Sequence, residues 1–183
     1  MRLRLTLIYL LMLLLTSCNA PKFVTNHEEY PKVNLDLGVD FVIIEDKREN
    51  VSISDDLKLP FISKAGQYDI VIPPLKSAHE DIIKQTISDN LNPDSKNKGS
   101  LTVQLINARK EYSATFWSER ETAFIELIII AKTRGKEFQA TASREFMRKS
   151  VDATYKTTEK VFRSTLKEVT YDALKKLDSK ISG

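Results

Sequence analysis

Between Ala123 and Thr133 the chain is almost unbroken in apolar residues: Phe124, Ile125, Leu127, Ile128, Ile129, Ile130 and Ala131. A run this short and this rich in β-branched side chains favours a strand over a helix. Apolar residues on both parities predict a central strand covered on both faces. A sheet must therefore organise the fold. The preceding segment, Leu101 to Trp117, starts with Leu101, Val103 and Leu105 on one face. Ala114 and Phe116 then fall on the opposite parity, which predicts a bulge or bend near Asn107 to Glu111. Ser118 to Glu121 reads as a turn. Beyond the apolar run, Arg134-Gly135 marks a tight turn, and Phe138, Ala140 and Ala142 alternate with polar residues as a third strand.

The flanking segments supply helices. Val33, Leu35, Leu37, Val39, Phe41 and Ile43 alternate with polar residues and predict a first strand. Tyr68 to Ile72 is a second strand or extended segment, stopped by Pro73-Pro74. Ser77 with Glu80 forms a capping box, so a helix is expected to start at Ser77. Ile82, Ile83, Ile87 and Leu91 form its apolar stripe, and Asn92-Pro93 ends it. A long helix is expected from about Val151 to Ile181, with Phe162, Leu166, Val169, Ala173, Leu177 and Ile181 on one stripe. The small residues of the third strand would let this helix approach closely. The order β, (β), α, β-β-β, α predicts an α+β fold: a two-layer sandwich with a mostly antiparallel sheet and two helices packed on one face.

The N-terminus carries a different kind of information. Arg2 and Arg4 precede an apolar stretch from Leu5 to Leu15, shorter than the roughly 20 residues needed to span a bilayer. Thr16 and Ser17 are small, and Cys18, the only cysteine, follows them. A lone cysteine in an oxidising compartment has no intramolecular partner. The arrangement resembles a bacterial lipoprotein signal with its lipobox. That resemblance implies a signal peptide over residues 1–17, a lipidated Cys18 with a tether over 18–32, and a single α+β domain over 33–183. Multiple acyl chains on the cysteine would make a long-lived membrane anchor. Asn19, in place of an aspartate, points by the same resemblance to the outer membrane, and the missing acidic run over residues 19–24 to its periplasmic face.

Composition excludes several classes of function. The chain has 28 Lys+Arg against 25 Asp+Glu, and removal of the signal would discard two of the arginines. The remaining balance leaves no electrostatic footprint for nucleic acid. His27 and His79 are not in ligand-spaced pairs and read as ordinary exposed histidines, so no metal site is expected. Glu45, Asp46 and Glu49 lack EF-hand spacing, and the interleaved Lys47 and Arg48 suggest a salt-bridged turn. No nucleophile elbow or phosphate loop occurs. Neither an enzyme nor a cofactor is expected.

Two features suggest binding. Tyr112, Phe116 and Trp117 flank the bend and hairpin of the long strands and offer an aromatic patch for a partner or glycan. In the competing reading Phe116 belongs to the core and Trp117 caps its edge. The second feature is the basic side of the final helix, Lys156, Lys160, Arg163 and Lys167, which suits anionic headgroups or a partner, or is simply a solvated face.

Val42-Ile43-Ile44-Glu45-Asp46-Lys47-Arg48 resembles the strand-then-Asp-x-Arg element of the YajG-like lipoproteins, with Asp46 and Arg48 as the motif. The layout across Val33 to Ile181 is similar too, and auxiliary lipoproteins of ABC-type transport systems share it. The resemblance implies an outer-membrane lipoprotein. The anchor, the tether and the missing catalytic constellation lead to the expectation of a lipid-anchored, non-enzymatic accessory or binding protein of the envelope, with a protein partner in a transport or assembly system. A module that binds lipid, glycan or peptidoglycan fragment is the alternative.

Overall fold

In the computed structural model the described residues are 30–54, 57–59 and 64–182. Cys18, His27, the signal segment and most of the expected tether lie outside them. The chain divides into two units, Met1–Pro31 and Lys32–Gly183. The elements of the second unit are β1 (Gly38–Asp46), β2 (Tyr68–Val71), α1 (Ser77–Asn90), β3 (Lys98–Ala114), β4 (Glu119–Thr133), β5 (Lys136–Ser150) and α2 (Tyr155–Ser182).

All five strands form one sheet in the order β1-β3-β4-β5, with β2 also paired to β3. β1 and β2 share one edge of β3. β1 runs parallel along Lys98 to Leu105, and β2 runs antiparallel along Lys110 to Ser113. Arg48 fills the gap between them. Its guanidinium pairs with Asp46 at 2.6 Å and donates to the carbonyls of Pro73 at 2.8 Å and Ala108 at 3.4 Å. The Asp-x-Arg motif thus closes a sheet edge. Burial opposes ionisation of Asp46, but the hydrogen bonds and charge of Arg48 outweigh it and hold the carboxyl below its ordinary range.

The expected shift of parity in β3 is present. Register with β4 is continuous to Leu105↔Leu127 and resumes at Asn107↔Glu126, so Ile106 is the extra residue. The bulge turns Leu101, Val103, Leu105, Ala108, Tyr112 and Ala114 to one buried face. Ala123, Ile125, Leu127, Ile129 and Ala131 of β4 join the residues up to Ala108, with Ala140 and Ala142 of β5, while Tyr112 and Ala114 pack in a second cluster with Leu57 and Val71. Phe162, Leu166, Val169, Ala173, Leu174 and Leu177 of α2 cover this face, and Ile83 and Ile87 of α1 complete the cluster. Each large side chain so buried contributes roughly 1.5–3 kcal/mol. The fold is α+β, with both helices on one side of a mixed, mainly antiparallel sheet.

Several expectations are corrected. β4 is not covered by helices on both sides: its residues alternate between buried and half-buried, with Phe124, Ile128 and Ile130 on the face opposite the helices. Neighbouring strands shield these side chains laterally, which keeps an apolar run compatible with an open face. The first strand starts at Gly38, not Val33. Leu35 instead bridges Leu91 in parallel after the positive φ of Asn34. A register shift between Val39 and Val42 then turns Val42 and Ile44 inward and leaves Phe41 and Ile43 exposed. α1 has Lys76, not Ser77, as N-cap, and His79 rather than Glu80 closes the turn by accepting the Lys76 N–H at Nδ1. The strand expected from Phe138 extends to Ser150, so α2 begins at Tyr155 rather than Val151. Thr154 and Thr157 cap it reciprocally: the Thr157 Oγ1 accepts the Thr154 N–H at 2.8 Å, and the Thr154 Oγ1 accepts the Thr157 N–H at 3.2 Å. The Arg134-Gly135 turn is as expected, with both residues at positive φ.

Candidate functional site

β3 and β4 join through Thr115 to Ser118, a loop closed on itself, and not through the expected turn at Ser118 to Glu121, because Glu119 to Glu121 already pair with β3. The Thr115 N–H donates to the Ser118 carbonyl at 2.8 Å, and the Ser118 N–H donates back to the Thr115 hydroxyl at 3.1 Å. Polar groups therefore hold the turn, and Phe116 and Trp117 are not needed inside it. They are 75% and 82% exposed and stack edge to face, with ring centroids 4.6 Å apart. The competing reading, Phe116 in the core with Trp117 as its cap, is overturned. Tyr112 does not join them in an exposed patch. It is buried beneath the hairpin, because the bulge at Ile106 places it on the helix-covered face.

Below the tip lies an inward-facing polar layer. The Tyr112 hydroxyl donates to Glu119 Oε1 at 3.2 Å, and Glu119 Oε2 accepts the Ala153 N–H at 2.6 Å. Glu121 is fully buried and accepts hydrogen bonds from Arg148 at 3.0 Å and from the Thr157 hydroxyl. Burial pushes the Glu121 carboxyl above its ordinary range, against the opposing pull of Thr157 and Arg148.

One turn further along α2, Glu159 accepts from His79 Nε2 at 2.9 Å and from Lys110 Nζ at 2.6 Å. Nδ1 of His79 accepts the Lys76 N–H, so Nε2 is the nitrogen that donates to Glu159. Burial opposes ionisation of Glu159, yet the hydrogen bonds from His79 and Lys110 and the charge of Lys110 prevail and hold it at about 2. Lys110 Nζ also lies 5.1 Å from the Phe162 ring centroid. The first turns of α2 are thus clamped to the hairpin by polar bonds, and its later turns combine apolar packing with pairs from Arg144 to Glu168 and Asp172. The clamp braces the aromatic tip.

The structure brings Phe116, Trp117 and Lys156 to one end of the domain. Lys160 and Arg163 are exposed but lie about one and two turns further along α2. Sequence reasoning missed the cations closest to the tip. Arg120 and Lys149 are cross-strand partners on the face opposite the helices, in one row with Ser113 and Tyr68. It also missed the polar set His79, Lys110, Glu121, Arg148 and Glu159, of which the first three are buried and the last two partly so. In particular, His79 is fully buried rather than exposed, because α1 packs its first turn on Phe162 and Glu159. The one available signal was parity: once a bulge is placed before Ala108, Lys110 must point inward.

Among the described residues there is no cluster of three or more His, Cys, Asp and Glu able to hold a metal ion. No described helix is long and apolar enough to cross a membrane.

No protein-family model and no curated protein sequence matches this chain. Solved structures similar to it include the following two. One is an uncharacterized protein, at 11% identity and a TM-score of 0.43 over 80% of this chain and 94% of the other. The second is a Xanthomonas campestris protein described as DUF330, at 16% identity and a TM-score of 0.42 over 83% and 89% of the two chains.

Proposed function

We propose that this chain is a lipid-anchored, non-enzymatic accessory protein of the bacterial envelope, which binds another envelope component through the end that carries Phe116 and Trp117. One observation carries this reading: the chain enters the domain at the opposite end of the strand that presents the aromatic pair. Gly38 N–H donates to the Asn97 carbonyl at 2.8 Å, just before β3 starts. Phe116 and Trp117 lie just past its last residue, and 17 strand residues at about 3.3 Å each separate the two ends by roughly 50 Å. An acylated Cys18, followed by a tether to residue 32 with a reach of up to ~45 Å, leaves the tip free to bind. Two large aromatic side chains held out by a self-closed loop serve no packing role, which supports an interaction site.

The lipobox resemblance supports the anchor, Asn19 and the YajG-like layout support the outer membrane, and the missing acidic run over residues 19–24 supports its periplasmic face as the location. A test places a photo-crosslinking residue at Phe116 or, as the control, at Arg134 near the entry end. The expected result is a discrete crosslinked product in intact envelopes from position 116 and none from position 134. Equal products from both positions, or none from position 116, would count against the proposal.

A further inference from the structure

We infer that the component bound by the Phe116–Trp117 tip is the anionic phospholipid surface of the bilayer in which the chain is anchored; this rests on the proposed function and names the partner of its site. The tip is convex. Two rings project from a turn, and such a wedge fits a deformable surface better than it encloses a small ligand. Exposed apolar residues surround it: Tyr68 beside Ser113, and Val151 and Tyr155 at the start of α2. Trp and Tyr favour the bilayer interface, where the apolar ring is buried and the polar atom stays wet.

Charge selects the lipid. Arg120 and Lys149 face each other across β4 and β5 just behind the tip, and Lys156 lies on its helix side. None of the three forms an ion pair among the described residues. The neighbouring carboxylates are engaged within the domain: Glu119 by Tyr112 and the Ala153 N–H, Glu121 by Arg148 and Thr157, and Asp152 by Arg148. Glu119, Glu121 and Asp152 offset part of this charge, and the remaining small cationic excess lies with Arg120, Lys149 and Lys156, which are free of ion pairs among the described residues. Aromatic rings flanked by such cations complement an anionic headgroup layer, whereas lysine is depleted at the centre of protein interfaces. The tether and the length of β3 together let the domain lie along its own membrane, and tethering raises the effective concentration of that surface over any other.

Trp117 is the only tryptophan, so its emission reports directly on the tip. The full-length protein is reconstituted through its anchor into vesicles of phosphatidylcholine alone or mixed with phosphatidylglycerol, with bromine on the acyl chains. The expected result is a blue shift and quenching of Trp117 in the anionic vesicles, weakened by salt. Replacing Arg120→Gln and Lys149→Gln together should move the docked-to-free ratio roughly 30-fold towards free, at about 1 kcal/mol per charge. Both side chains sit on the open face, so circular dichroism should report an unchanged fold.

Emission that stays at its aqueous position in every vesicle would overturn the inference. So would an equal shift in phosphatidylcholine alone, or quenching only by separate brominated vesicles. A shift produced by envelope protein but not by lipid would overturn it in favour of a protein partner. The intact mass of the same sample reads the acylation of Cys18 independently, so a missing anchor is told apart from a tip indifferent to lipid.

Discussion

His79 of α1 and Glu159 of α2 meet at 2.9 Å through Nε2 and Oε1, with the imidazole fully buried. The other Glu159 oxygen takes the ammonium of Lys110, which is also buried. This carboxylate therefore joins both helices to the sheet. Glu159→Gln leaves the ammonium of Lys110 buried without that carboxylate and is expected to destabilise the domain by about 3 kcal/mol. Adding Lys110→Met removes the stranded charge, so the double variant should lose less than the sum of the singles. Urea denaturation of the three variants gives the cycle.

The same carboxylate sets an acid limit. Glu159 titrates at about 2 in the folded chain, against an ordinary value of 4.5. Its stabilisation is fully present above about pH 4.5 and lost as the pH falls towards 2, because the unfolded chain takes up the proton first. The shift corresponds to about 3 kcal/mol, reduced towards about 2 by the partial exposure of the carboxylate. Glu121, displaced upward by burial, acts with the opposite sign. Urea midpoints of the unsubstituted chain and Glu159→Gln should converge across that acid window and stay apart above it.

Close packing makes a separate demand at Gly99. A Cβ there would clash with the Lys132 carbonyl oxygen and lie 2.8 Å from Leu37 Cδ1. Gly99→Ala is expected to destabilise by about 2 kcal/mol, as overpacking does, and to shift the urea midpoint without changing the slope.

The tip should behave in the opposite way. Phe116→Ser and Trp117→Ser remove side chains that contribute little buried surface, so stability should change by no more than about 0.5 kcal/mol. Thermal unfolding followed by far-ultraviolet circular dichroism checks this. A large loss would mean that the rings brace the hairpin rather than serve binding.

Much of this architecture is written in periodicity. The parity change in β3 and the α2 stripe from Phe162 to Leu177 each report burial by a neighbour on one face, and each is found; the Ala123 to Thr133 run marks the central strand, though only one of its faces is covered by helices. What periodicity cannot report is contact between distant segments. His79, Lys110 and Glu159 come from two helices and a strand, and nothing local to any of them names the others. The open face behind Phe124, Ile128 and Ile130 escapes periodicity for a related reason: lateral shielding within a sheet leaves the same apolar signature as a covering helix. The aromatic tip was legible as a motif, but its exposure depended on the Thr115–Ser118 bonds that close the loop without it.

Everything proposed for the tip rests on Cys18 being the membrane anchor. The most direct test is the intact mass and N-terminal residue of the protein extracted from bacterial envelopes. The expected result is a chain that begins at Cys18 and carries diacylglyceryl-linked acyl chains, with Cys18→Ala left unprocessed and unmodified. A chain that begins elsewhere, or an unmodified Cys18, would contradict it.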